Sequence, residues 1–170
     1  MMRLSGLLFL AFVAGCIGCA SKPVADTSAQ DQAAIQALEI KFADAFNAKD
    51  INAIMALYTP GDSLIVFDAS PPRQYTGWGA YKKDWVDFFA TLPGPVDFKL
   101  TDLDITVGGD VAYSHSIQHV TSTDKAGKKT ELTVRVTDGY KKVNGQWLIS
   151  HEHVSVPVDF VTLKPALDSK

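Results

Sequence analysis

The run RVTDGYKKVNGQWLISHEHVSVPVD, Arg135 to Asp159, carries the clearest structural signal in the chain. Asn144-Gly145 at its centre is the dipeptide a two-residue hairpin turn demands, because both turn residues take positive φ. The flanks are rich in β-branched and aromatic residues, which predicts two antiparallel strands. Alternation puts Leu132, Val134, Val136 and Asp138 on one face of the first strand, with Arg135 and Thr137 on the other. On the second strand it groups Trp147, Ile149, His151, His153 and Ser155, and turns Glu152 the opposite way, to solvent or an interface.

Toward the N-terminus the β pattern continues back to Pro95. VDFKLTDLDITV alternates, but its apolar parity slips from Phe98 and Leu100 to Leu103, Ile105 and Val107, so one extra residue near Thr101–Asp102 is expected as a β-bulge. Turns at GGD and DKAGKK bracket the next strand. Ahead of Pro95 the period changes to that of helices. Ile35, Leu38, Phe42, Ala45 and Phe46 recur at helical spacing behind the capping pair Ser28 and Asp31. Asp50 caps a short second helix ended by Pro60-Gly61, and Trp78, Tyr81, Trp85, Phe88, Phe89 and Leu92 mark a third. Between them DSLIVFD reads as a buried strand and PPRQYTG as a turn with a short return strand. Helices followed by a long bent meander predict an α+β domain, with the helices packed on one face of an antiparallel sheet.

The chain has 170 residues, 46% hydrophobic, which suits one globular domain. Its first 20 residues stand apart: MMR is a short positive head, and LSGLLFLAFV is an apolar run too short to span a bilayer as a helix. Val-Ala-Gly-Cys, ending at Cys16, resembles the lipobox of bacterial lipoproteins. Cys19 as the modified residue, or cleavage after Ala20, are the other readings of the same segment. Each predicts export, with Cys16 giving a lipid-anchored periplasmic protein, on the outer membrane where the cell has one. Residues 21–30 read as a flexible tether, 31–160 as the domain and 161–170 as a tail. Both cysteines of the chain lie in the leader, so the core alone must hold the domain. With 16 basic and 19 acidic residues and no basic run, nucleic acid is not an expected partner.

The order of elements, the Arg135–Asp159 hairpin, and FDASPPRQYTG followed by WGAYKKDWVDFF resemble the SnoaL-like branch of the nuclear transport factor 2-like superfamily, which includes ketosteroid isomerases. The resemblance implies a cone with its N-terminal helices packed on a bent antiparallel sheet, open at one end to a small molecule. It further implies homodimerisation through the outer face of the sheet, and no cofactor.

Asp138 ends an apolar face, where a carboxylate needs a partner. A histidine of the adjacent strand, His151 or His153, is the natural one, giving either an oriented acid–base pair or a structural hydrogen bond between the strands. The His-x-His pair is a weak metal signal, and no metal is expected. Asp68, Tyr75, Trp85 and His115 are candidate pocket residues, with Tyr81 at the rim. Arg135 joins them to grip an anion only if a bulge turns it inward. Two main functions follow: binding of a small apolar or anionic molecule, or cofactor-free isomerase, cyclase or dehydratase chemistry. A role in dimerisation or assembly is a third.

Overall fold

The structure is a computed structural model and describes residues 28–168. The leader, with Cys16 and Cys19, lies outside the described residues. Helix α1 (Ser28–Asn47) ends where Lys49 takes positive φ, and Asp50 then accepts the Ala53 N–H to open α2 (Ile51–Met55). Strands β1 (Ile65–Phe67) and β2 (Tyr75–Thr76) precede helix α3 (Trp78–Ala90). Gly77 enters α3 at φ 90°, a conformation that a side chain would strain. Four long strands follow: β3 (Val96–Gly108), β4 (Val111–Thr123), β5 (Lys129–Val143) and β6 (Gln146–Ser155). The β5–β6 turn is Asn144-Gly145, with both residues at positive φ.

The six strands β1–β6 form one sheet in the order β2-β1-β6-β5-β4-β3. Every neighbouring pair is antiparallel except β1 with β6, which run parallel, so the expected antiparallel sheet is mixed at this one seam. The Leu57–Thr59 segment also runs beside β6, exchanging backbone hydrogen bonds of 2.8 Å with Ile149. Strands β7 (Val158–Asp159) and β8 (Lys164–Pro165) pair separately. Beyond them, Leu167 accepts from the Thr133 N–H of β5 at 2.7 Å.

Two irregularities bend the sheet. Between Thr101 and Asp104, β3 carries one more residue than β4 opposite, and Asp102 sits at φ 53°, the bulge that the parity slip predicts. The second was not anticipated. Gly139 pairs with His151 but Tyr140 pairs with Ile149, so Ser150 is an extra residue on β6. It inverts the alternation beyond it: Trp147 and Ile149 are buried, and so is Glu152, while His153 is exposed.

Helix α1 lies across the concave face and is tied to β3 at both ends. Gln32 donates to the Ile105 carbonyl at 3.0 Å, and the Asn47 side chain bridges the Phe98 backbone, accepting from its N–H at 2.7 Å. Phe42 and Phe46 on α1 meet Trp85 and Phe89 on α3 and Phe98 on β3 in a cluster of mostly edge-to-face rings. Burying each such ring contributes about 1.5–3 kcal/mol, and this cluster is the centre of the core.

Candidate active site

A cavity of about 80 Å³ lies between α1, α3 and the concave face of the sheet. Helices supply its aromatic wall: Phe42 and Phe46 from α1, and Tyr81, Trp85 and Phe88 from α3. The helical periods that made these residues core candidates also aim them at this space. From the sheet come Gln118, Leu132, Val134, Glu152 and Val154, and Asp68, Ser70 and Asp84 add polar groups.

Glu152 is 5% exposed, and both its oxygens are engaged. Tyr81 donates to Oε1 at 2.6 Å, and Tyr58 donates to Oε2. Burial pushes its carboxyl up to about 7, against the lowering effect of the two hydroxyls. Glu152 thus changes protonation near neutral pH inside an apolar cavity. The same burial, with the carboxylate beside them, drives both tyrosines well above their ordinary range, so they stay neutral donors.

A second buried acid group lies deeper. Glu39 of α1 accepts from Tyr140 at 2.7 Å, Tyr140 in turn contacts the Ser114 hydroxyl at 2.7 Å, and burial pushes Glu39 up to about 7. Asp138, 2% exposed, is held well above the carboxylate range by burial and by the charges of Glu39 and Glu152. Its Oδ1 has no hydrogen-bond partner among the described residues. Burial at that position disfavours the charged form of the carboxyl.

The candidates read from the sequence separate into two groups. Asp68 and Trp85 line the cavity, as does Tyr81. Tyr75 stands behind it and donates to Asp84 at 2.5 Å. The expected pairing of Asp138 with a histidine does not form. Asp138 faces inward between Ser114 and Glu152 on the flanking strands, whereas the Ser150 bulge turns His151 and His153 to the convex face. His151 donates from Nδ1 to the Ile65 carbonyl at 2.8 Å, sewing β6 to β1, and both imidazoles pack edge-on to Phe67.

His115 does share a face with Tyr113, Ile117 and His119, but it is the convex one. Arg135 is exposed there too, since no bulge falls at Thr137. All four histidines of the chain therefore lie outside the cone. Glu152, expected to point outward, is buried and lines the cavity. The signal for it was present: apolar parity slips from Trp147 and Ile149 to Val154 and Val156, as it does in β3.

The sequence pattern of the SnoaL-like domain matches residues 35–159. This chain belongs to the SnoaL-like family. Among curated proteins none matches it. Solved structures do. A nuclear transport factor 2-like protein of unknown function from Pseudomonas putida is 31% identical, with a TM-score of 0.76 over 84% of this chain and 98% of that one. A ketosteroid isomerase-like protein from Erwinia carotovora atroseptica is 24% identical, with a TM-score of 0.62 over 74% and 95%. A nuclear transport factor 2-like superfamily protein from Salmonella enterica serovar Typhimurium is 18% identical, with a TM-score of 0.68 over 78% and 94%. The last two share the fold alone. The SnoaL-like cone is thus the architecture of this chain, and its aromatic wall and buried Glu152 are the features of this member to be explained.

Proposed function

We propose that this SnoaL-like domain binds a small organic molecule of largely apolar surface in the cone, with Glu152 and Tyr81 as polar contacts. One observation carries the reading. An aromatic and aliphatic cavity meets a buried carboxylate, Glu152, that two tyrosines hold in place.

The ionisation of Glu152 near 7 favours a second reading, a cofactor-free isomerase, cyclase or dehydratase. There Glu152 takes a proton from a carbon next to a carbonyl and returns it elsewhere, the task suited to a group titrating near the working pH. The leader through Cys16 supports export and a lipid anchor, and exposed Phe67, Val111 and Tyr113 on the convex face support a homodimer.

Native mass spectrometry of the purified protein tests the binding reading. A retained small molecule, absent from Glu152→Leu, is the expected result. An empty protein whose Tm is moved by no member of a panel of small aromatic compounds would sink it.

A further inference from the structure

The charge of the cavity is as one-sided as its walls are aromatic. Its lining contains Asp68, Asp84 and Glu152 and no Lys, Arg or His. Each of the three carboxylates is held by uncharged donors. Tyr58 and Tyr81 serve Glu152, Tyr75 serves Asp84 at 2.5 Å, and Asp68 accepts from the Ser70 N–H at 3.0 Å and hydroxyl at 3.2 Å. Lys83, a neighbour of Asp84, is exposed and paired with Asp87 at 2.5 Å. The three acids repel one another: the Asp68 charge helps raise the carboxyls of both Glu152 and Asp84, with the exposed Lys83 acting against it at Asp84.

Such a field is repulsive to an anion and attractive to a cation. Around it stand rings whose faces carry negative quadrupoles, Tyr81 and Trp85 among them, with Phe46 and Phe88 at centroid distances of 5.7 and 5.9 Å from Trp85. Carboxylates set against aromatic walls are the combination that recognises an organic ammonium group. Inorganic ions suit it poorly. Among the described residues no three His, Cys, Asp or Glu side chains are grouped so as to hold a metal.

We infer that the cavity selects organic cations, a protonated amine or quaternary ammonium on a small apolar body, whose charge faces Asp68, Asp84 and Glu152 while the body packs on Tyr81 and Trp85. This rests on the reading of the cavity as the ligand site, and names the class of ligand. It also replaces the anionic ligand expected from Arg135, which lies on the other face of the sheet.

Three probes of nearly equal size and different charge test it: benzylamine, protonated at pH 7.5, benzyl alcohol and benzoate. Each is titrated into the purified protein, with the Trp85 indole N–H and the Ala69 and Ser70 amides followed by NMR. The expected result is benzylammonium bound about tenfold or more tighter than benzyl alcohol, and no shift with benzoate. In Asp68→Asn/Asp84→Asn the preference of benzylammonium over benzyl alcohol shrinks. Benzyl alcohol or benzoate binding as well as the amine overturns the cation inference and leaves the cavity a ligand site. Silence of all three probes overturns both. The comparison in the unmodified protein stands even if the double variant fails to fold.

Discussion

Glu152 is the buried carboxylate of the cavity. It is fully enclosed, and its carboxyl is raised from 4.5 to about 7 chiefly by burial. Between those values the folded protein holds a proton that the unfolded chain has released. Its contribution is therefore fully present below about 4.5 and is lost as pH rises through about 7, on the order of 3 kcal/mol in all. Glu39 titrates in the same direction and window. Glu152→Gln, which resembles the protonated acid, should flatten this part of the pH–Tm profile and leave the variant more stable than the parent at pH 8. Thermal melts from pH 5 to 8 read the effect, and parallel curves for the two proteins would refute the assignment. The Glu152 charge also raises Asp138, and that of Glu39 raises Glu152, so the difference between the curves reads Glu152 together with its effect on those neighbours.

Among the elements, the hairpin of β5 and β6 shows how one backbone residue outweighs several side chains. Without Ser150 the alternation from Trp147 onward would bury His151 and His153 and expose Glu152. With it, Glu152 and Val154 face the cavity, while the His151 imidazole is free to bond the Ile65 carbonyl. The Ser150 hydroxyl donates to the Gly139 carbonyl at 3.1 Å, but the backbone count sets the geometry. Ser150→Ala should therefore change stability by about 1 kcal/mol. Deletion of Ser150 should abolish the cooperative urea transition, because either half of β6 must then present the wrong face to the core. A deletion variant that unfolds as cooperatively as the parent would show that the bulge is dispensable.

In the molecule as a whole, the two sides of the sheet have different work. The concave side carries acids and aromatic rings, and the convex side carries every histidine together with Phe67, Val111 and Tyr113. Phe67 packs against His151 and His153 at ring centroid distances of 5.0 and 5.8 Å, making a semi-apolar platform next to the exposed Arg135 strand. With the convex face as the homodimer interface, the parent should sediment as a dimer at micromolar concentration. Phe67→Asp should sediment as a monomer, since an unpaired charge would be buried at the interface. A monomeric parent in analytical ultracentrifugation removes the dimer from the proposal.

Much of this was legible in residues 28–168. Helical spacing of Phe42, Phe46 and Trp85 named the core, the Asn144-Gly145 turn placed the last hairpin, and the slip between Leu100 and Leu103 located a bulge. These are local signals, carried by neighbours in sequence through backbone geometry. The partners of Glu152 were not legible, because Tyr58 and Tyr81 reach it across 94 and 71 residues. Nor does alternation say which of two faces is concave: His115 and Val111 share a side with Ile117 whether that side is packed or wet. Local periodicity determined the elements, and the resemblance of their order and motifs to the SnoaL-like family implied the cone. Which acid lies in the cavity, and that the histidines do not, was decided only when the strands registered against one another, since a single extra residue reverses every side chain after it.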